Sequence, residues 1–152
     1  MSDLVVEEFN PSEVNEIYNL IRETFDEFVG KDYSLQGQNT FYDFIEPEKI
    51  VSRFQDGNLI LVGKIDHEIV GMIEVRDNNH ICLFFVGKDY QGQSIGKRLL
   101  QSAVESVKGK TTSLEANASP YSEKIYFALG FKKVGELEER DGIKFVPMKM
   151  VL

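Results

Sequence analysis

Three apolar runs constrain this chain most: LILVGKI (59–65), IVGMIEVR (69–76) and HICLFFV (80–86), separated by only three residues each. Runs of this length and β-branched content read as strands, and links as short as DHE and DNN allow only antiparallel neighbours. The third run ends in the polar stretch GKDYQGQS, after which Ile95, Leu99, Leu100, Ala103, Val104 and Val107 recur at helical spacing. That stripe predicts a helix from about Gln93 to Val107. KTTSLEA then predicts a strand over 111–116. Strand, helix and strand in this order make a crossover unit, so strands 80–86 and 111–116 should lie parallel.

The flanks complete the pattern. LVVEEF (4–9) reads as a first strand. Asn10 offers a cap with Pro11 and Glu13 behind it, and Val14, Ile17, Tyr18, Ile21, Phe25 and Phe28 continue a helix to Gly30. TFYDFI and EPEKIVSRF suggest two short helices around Pro47, closed by the turn QDGN. Ser119–Pro120 opens a helix that stops at Gly130, and strands 131–139 and 143–151 are joined by the hairpin signal ERDG. The expected fold is α/β (α+β), one domain over 1–152. It has a mixed, mostly antiparallel central sheet of about seven strands, helices on both faces, and a central βαβ unit with a cleft between its parallel strands.

At 152 residues the chain can bury roughly two-thirds of its unfolded surface without staples. The net charge of −8 repels nucleic acid and anionic membrane at long range, so neither is expected as a partner. The same acidic balance favours a small cationic partner such as a polyamine or amino sugar. Cys82 stands alone, so no internal disulfide can form, and its apolar run predicts a buried thiol in a reducing compartment. His67 and His80 make no metal-ligand cluster, and no metal is expected. With no charged-then-apolar leader and no apolar stretch approaching 18 residues, a cytoplasmic protein is expected.

The loop before the long helix invites an anion. A phosphate-binding P-loop needs glycine at 91 and a hydroxyl at 98, where this chain has Gln91 and Arg98. A dinucleotide fingerprint fails on the spacing of Gly92 and Gly96. Two readings remain: a tight turn without a ligand, or a pyrophosphate cradle built from amides that have no partner within the helix.

Tyr90-Gln91-Gly92-Gln93-Ser94-Ile95-Gly96 resembles the R/Q-x-x-G-x-G/A motif of the GNAT superfamily, the acetyl-CoA-dependent N-acyltransferases. Ser94 stands where the family usually has its middle glycine. NASPYSEKIYFALGF (117–131) is similar to the family's N-x-x-x…F-Y-x-x-L-G-F block, matched at Tyr126, Leu129, Gly130 and Phe131 and departing from it at Ile125. The resemblance implies the family fold over nearly the whole chain, acetyl-CoA as co-substrate, and a small-molecule amine as acceptor. It implies that the amides of Gln91, Gly92, Gln93, Ser94, Ile95, Gly96 and Lys97 hold the pyrophosphate. Backbone groups of Phe84, Phe85 and Val86 would pair with the pantetheine arm, the Val86 N–H would face the thioester oxygen, and Asn117 would hydrogen-bond the arm. The acceptor would sit against residues 20–55, where Phe25, Phe28, Tyr33, Phe41, Tyr42 and Phe44 are dense. The family often dimerises, and the last hairpin offers an edge for a homodimer.

Tyr126 is the expected general acid. Tyr121, Ile125, Ala128 and Leu129 cluster on one side of their helix, and Tyr126 lies off that stripe with its hydroxyl toward a cleft. A phenol of pKa ~10 can protonate a thiolate whose conjugate acid lies near ~8.5. A packing role at the core edge is the alternative. Phe127 points away from the stripe. Asn117 shares a strand face with Glu115 and can equally act as a cap or turn former. For the base, Glu74 is named together with Glu115 and His80; Glu74 shares a face with Val70 and Met72. The competing functional readings are a non-catalytic acyl-CoA-binding or sensing module, and acetylation of a protein amine.

Overall fold

The computed structural model describes residues 3–152. Strands β2 (Leu59–Ile65), β3 (Glu68–Arg76) and β4 (His80–Val86) form the expected antiparallel centre. β1 (Val5–Glu8) pairs antiparallel with β2. β5 (Ser113–Ala118) lies parallel to β4, two residues later than expected, and pairs antiparallel with β8 (Ile143–Val151). The sheet order is β1-β2-β3-β4-β5-β8-β6, with β7 pairing β8.

The expected single strand 131–139 is two pieces, β6 (Lys132–Lys133) and β7 (Glu138–Arg140), which brings the sheet to eight strands. Each pairs with a different part of β8, so β8 is interior and β6 ends the sheet. The last hairpin therefore does not leave β8 as a free edge.

Helix α1 (Val14–Thr24) starts behind a short 3-10 turn, Pro11–Glu13. There Asn10 Oδ1 accepts the Ser12 N–H at 2.9 Å, and the Glu13 carboxylate accepts the Asn10 N–H at 3.1 Å. The chain continues through a π-helical turn, Phe25–Val29, and a 3-10 turn to Asp32. α2 (Leu35–Phe44) and α3 (Pro47–Gln55) follow, the two short helices expected around Pro47.

α4 (Ile95–Val107) buries Ile95, Leu99, Leu100, Ala103 and Val107 on one face of the sheet, as its stripe predicts. It begins two residues later than expected. On the opposite face Ile17, Ile21, Ile45 and Ile50 pack over Ile60, Val62, Met72 and Leu83. α5 (Glu123–Ala128) turns in the opposite sense to the expected stripe: Tyr126 is its buried residue, while Ile125 is 46% exposed. Phe127 is exposed, as expected.

Two close contacts position the site. The amide of Ser34, which caps α2, donates to Gly142 O at the tip of the β7–β8 hairpin at 3.2 Å. A Cβ on Gly37 would lie 2.2 Å from that same carbonyl oxygen, so helix and hairpin can meet only through glycine.

The second contact is Glu74 with Arg53. Glu74 is fully buried, accepting from Arg53 Nε at 2.7 Å, Arg53 Nη2 at 3.1 Å and Asn58 Nδ2 at 2.8 Å. The guanidinium also donates to Phe44 O at 2.8 Å and lies 3.8 Å over the Phe44 ring. This carboxylate pins α3 to β3. Glu74→Ala leaves a guanidinium without its counter-ion, and a loss of about 3 kcal/mol is expected, read from the urea unfolding midpoint at unchanged m-value.

Candidate active site

β4 and β5 stay paired only at His80–Glu115 and Ile81–Ala116. The cause lies on the other side of β4. Glu74 faces Leu83 and Val75 faces Ile81, so Cys82 is an extra residue, a bulge that bends β4 away from β5. From Cys82 onward a gap opens in the middle of the sheet.

The gap has donors and acceptors along its β4 wall. Gly87 N–H donates to Val70 O at 2.8 Å, which makes the facing pair Val86–Gly71 a non-hydrogen-bonded one. Val86 and Phe84 therefore turn their N–H and C=O groups toward the gap. Phe85 turns its backbone to Met72 on β3 instead, so its main chain is not available to an arm lying in the gap. Val86 O accepts from Gln91 Nε2 at 3.2 Å, and Gln91 Oε1 accepts from Tyr121 OH at 3.3 Å, so one side chain spans the gap's mouth.

At that mouth α4 begins. Its cap residue Ser94 has left-handed geometry, φ 65° and ψ 16°, and makes no side-chain cap. The first bond onto this end is Arg98 N–H to Ser94 O at 3.1 Å. The amides of Ile95, Gly96 and Lys97 thus lack helical partners and point with the positive end of the helix dipole. They can receive a diphosphate, and Lys97 is exposed beside them. Gln93 points elsewhere: its side chain donates to Asp89 O at 3.4 Å.

A cavity of about 670 Å³ runs from this mouth through the sheet. Phe84, Val86, Ile95 and Tyr126 line it and belong with the α4 side of the core. Phe41, Cys82, Leu83 and Phe85 line it and belong with the α1 side. Gln91, Gly92, Ser94, Gly96, Lys97 and Asn117 also border it; Gln93, Glu74, Glu115 and His80 do not. The structure thus keeps the three candidate bases out of the cleft, Glu74 because Arg53 and Asn58 occupy its carboxylate. Lys124, which also borders the cavity, escaped the sequence reading because a single lysine on a short helix carries no pattern.

Tyr126 packs edge-on against Phe84 and Phe131, with ring centroids 6.0 and 5.1 Å away. Among the described residues its hydroxyl has no hydrogen-bond partner, yet no fully buried polar side-chain atom among them goes unpartnered. The hydroxyl therefore opens on the cavity. Burial pushes this phenol's pKa up, and Cys82 and Tyr33, which line the same cavity, raise it further wherever they ionise. A phenol so perturbed stays protonated across neutral pH: it can donate a proton but is a poor base. Burial pushes the Tyr33 phenol up to about 12 and the Cys82 thiol up to about 11. Cys82 is half-buried rather than buried, because the bulge turns it to the cavity wall. Among the described residues no cluster of three or more His, Cys, Asp or Glu suits a metal, and no helix is long and apolar enough to cross a membrane.

The site is an open sheet parted between parallel strands, with an uncapped helix at the mouth and a phenol inside. By its sequence the chain belongs to the GNAT acetyltransferases: the acetyltransferase (GNAT) domain family matches residues 29–152. Among solved structures it resembles a GCN5-related N-acetyltransferase from Rhodopseudomonas palustris, with TM-score 0.86 at 18% identity over 100% of this chain and 98% of that one. It also resembles the paia N-acetyltransferase of Thermoplasma acidophilum in complex with coenzyme A, with TM-score 0.80 at 20% identity over 99% of each chain. An aminoglycoside 6'-N-acetyltransferase complexed with coenzyme A matches with TM-score 0.72 at 14% identity, over 97% of this chain and 96% of that one. No curated relative matches it in sequence.

Two measurements check this geometry. Ser94→Gly removes a left-handed Cβ and is expected to raise stability by about 1 kcal/mol in urea unfolding. Cys82 in the native chain should react with iodoacetamide at pH 8 about 10²-fold more slowly than a free thiol of pKa ~8.5, because so little of it is thiolate.

Proposed function

We propose that this chain transfers the acetyl group of acetyl-CoA to a primary amine by direct attack of the amine nitrogen on the thioester carbonyl. The observation that carries the reading is one cavity with an uncapped helix N-terminus at its mouth and the Tyr126 hydroxyl within it. The parts fit acetyl-CoA: free amides and Lys97 for the diphosphate, and an open β4 edge for the pantetheine amides.

The amides of Ile95, Gly96 and Lys97 hold the diphosphate, with Gln91 and Gly92 bordering the same turn. Phe84 and Val86 pair with the arm through the backbone groups they turn to the gap, and Asn117 meets it from the facing strand. The Val86 N–H is the donor for the oxyanion that forms as nitrogen bonds to carbon. When the C–S bond breaks, Tyr126 donates its proton to the departing sulfur, and the proton released from the nitrogen restores the phenol. The products are an N-acetylated amine and the free thiol. Among the described residues no carboxylate borders the cavity, so the amine is taken as its free base.

The test is thiol release from acetyl-CoA across an amine panel, for wild type and Tyr126→Phe. Turnover should fall about 10²-fold with coenzyme A affinity nearly unchanged. Tight coenzyme A binding with no thiol release on any amine would instead mark an acyl-CoA-binding module.

A further inference from the structure

The α1 side of the cavity is where an acceptor can reach the thioester, because the arm enters from the helix α4 end. Its walls are apolar. Phe25 stacks on Phe41, with ring centroids 4.0 Å apart and planes 7° apart. Tyr33 meets Phe25 edge-on at 5.2 Å, and Phe85 lies 6.1 Å from Phe41. Phe25 is fully buried behind this wall, whereas Tyr33, Phe41 and Phe85 keep part of their surface open.

The charge inside is the reverse of the charge outside. Among the described residues no Asp or Glu borders the cavity, and the charged side chains that do are Lys97 and Lys124. A separate groove of about 580 Å³ holds Glu16 and Glu23 of α1, Asp26 and Glu27 of the π-helical turn, Glu68 at the start of β3 and Asp89 of the β4–α4 loop. That groove shares Thr24 and Tyr90 with the cavity, but none of its carboxylates reaches the cavity wall.

Resting on the acetyl transfer proposed above, we propose that the acceptor is a primary amine carried on an aromatic body, whose ring packs against Phe41, Phe85 and Tyr33. An aromatic ring gains both area burial and edge or offset contacts with such walls. A polycation gains only cation–π contact there, since each ammonium loses water and meets no carboxylate. The same desolvation helps a single amine shed its proton, which supplies the free base the reaction requires. The net negative charge of the chain thus describes its surface, and the acceptor is chosen by the rings.

The experiment is thiol release from saturating acetyl-CoA with 2-phenylethylamine, spermidine or kanamycin, using the full chain. 2-Phenylethylamine should exceed the other two in kcat/KM by at least about 10-fold. Phe41→Ala should raise its KM about 10-fold with the Kd for coenzyme A unchanged, and Phe41→Leu, which keeps an apolar wall, should recover most of the loss. Higher kcat/KM for spermidine or kanamycin overturns the aromatic acceptor and leaves acetyl transfer standing. An unchanged KM in a folded Phe41→Ala overturns it too. Coenzyme A binding without thiol release on any amine removes the transfer itself. The wild-type panel decides the matter even if Phe41→Ala does not fold.

Discussion

Everything in this molecule's site follows from one missing stretch of pairing. A parallel pair normally satisfies its inner backbone groups by continuing, and here it stops after Ile81–Ala116. The bulge at Cys82 is the reason: an extra residue in β4 raises the local twist and swings Phe84 and Val86 off the line of β5. The groups left unpaired would cost stability if sealed in, so they persist beside an open cavity. The same defect lets one cavity reach from the start of α4 to the α2 side of the sheet, where Phe41 lines it.

The two ends differ in physics. At the α4 end the chain offers dipole, free amides and a lysine, which suit a charged, solvated phosphate. At the other end it offers stacked rings and no carboxylate, which suit an apolar body. Tyr126 lies between them, its ring clamped by Phe84 and Phe131 and its hydroxyl unpaired. For the proposed reaction, such an arrangement separates the strength of donor binding from the choice of acceptor. Ser94 accepts a left-handed backbone to turn the chain into α4, strain of the kind that the surrounding structure holds in place.

Much of the fold was legible because local patterns and tertiary pairing agree. The limits of β2 and β4, the start of α1 and the buried face of α4 follow from run length, capping residues and helical spacing. The bulge did not show, since HICLFFV is apolar throughout and an unbroken run hides any change in alternation. That Tyr126 faces a cleft was legible, but not that it is the buried residue of α5: a six-residue helix takes its orientation from what it packs on. Glu74 misled because its partner Arg53 lies 21 positions away on another element, which no spacing rule reaches. The strand 131–139 broke in two because its halves pair with different parts of β8.

The glycine-to-glycine seam between α2 and the β7–β8 hairpin has a consequence for how such a chain can change. Phe41 rides on α2, and α2 is moored at its first turn to a surface loop that touches no reacting atom. Lengthening or reshaping that distant tip would tilt the helix and re-aim the ring it carries. Under the function proposed above, acceptor preference would drift through this remote loop while the start of α4 and Tyr126 stay untouched.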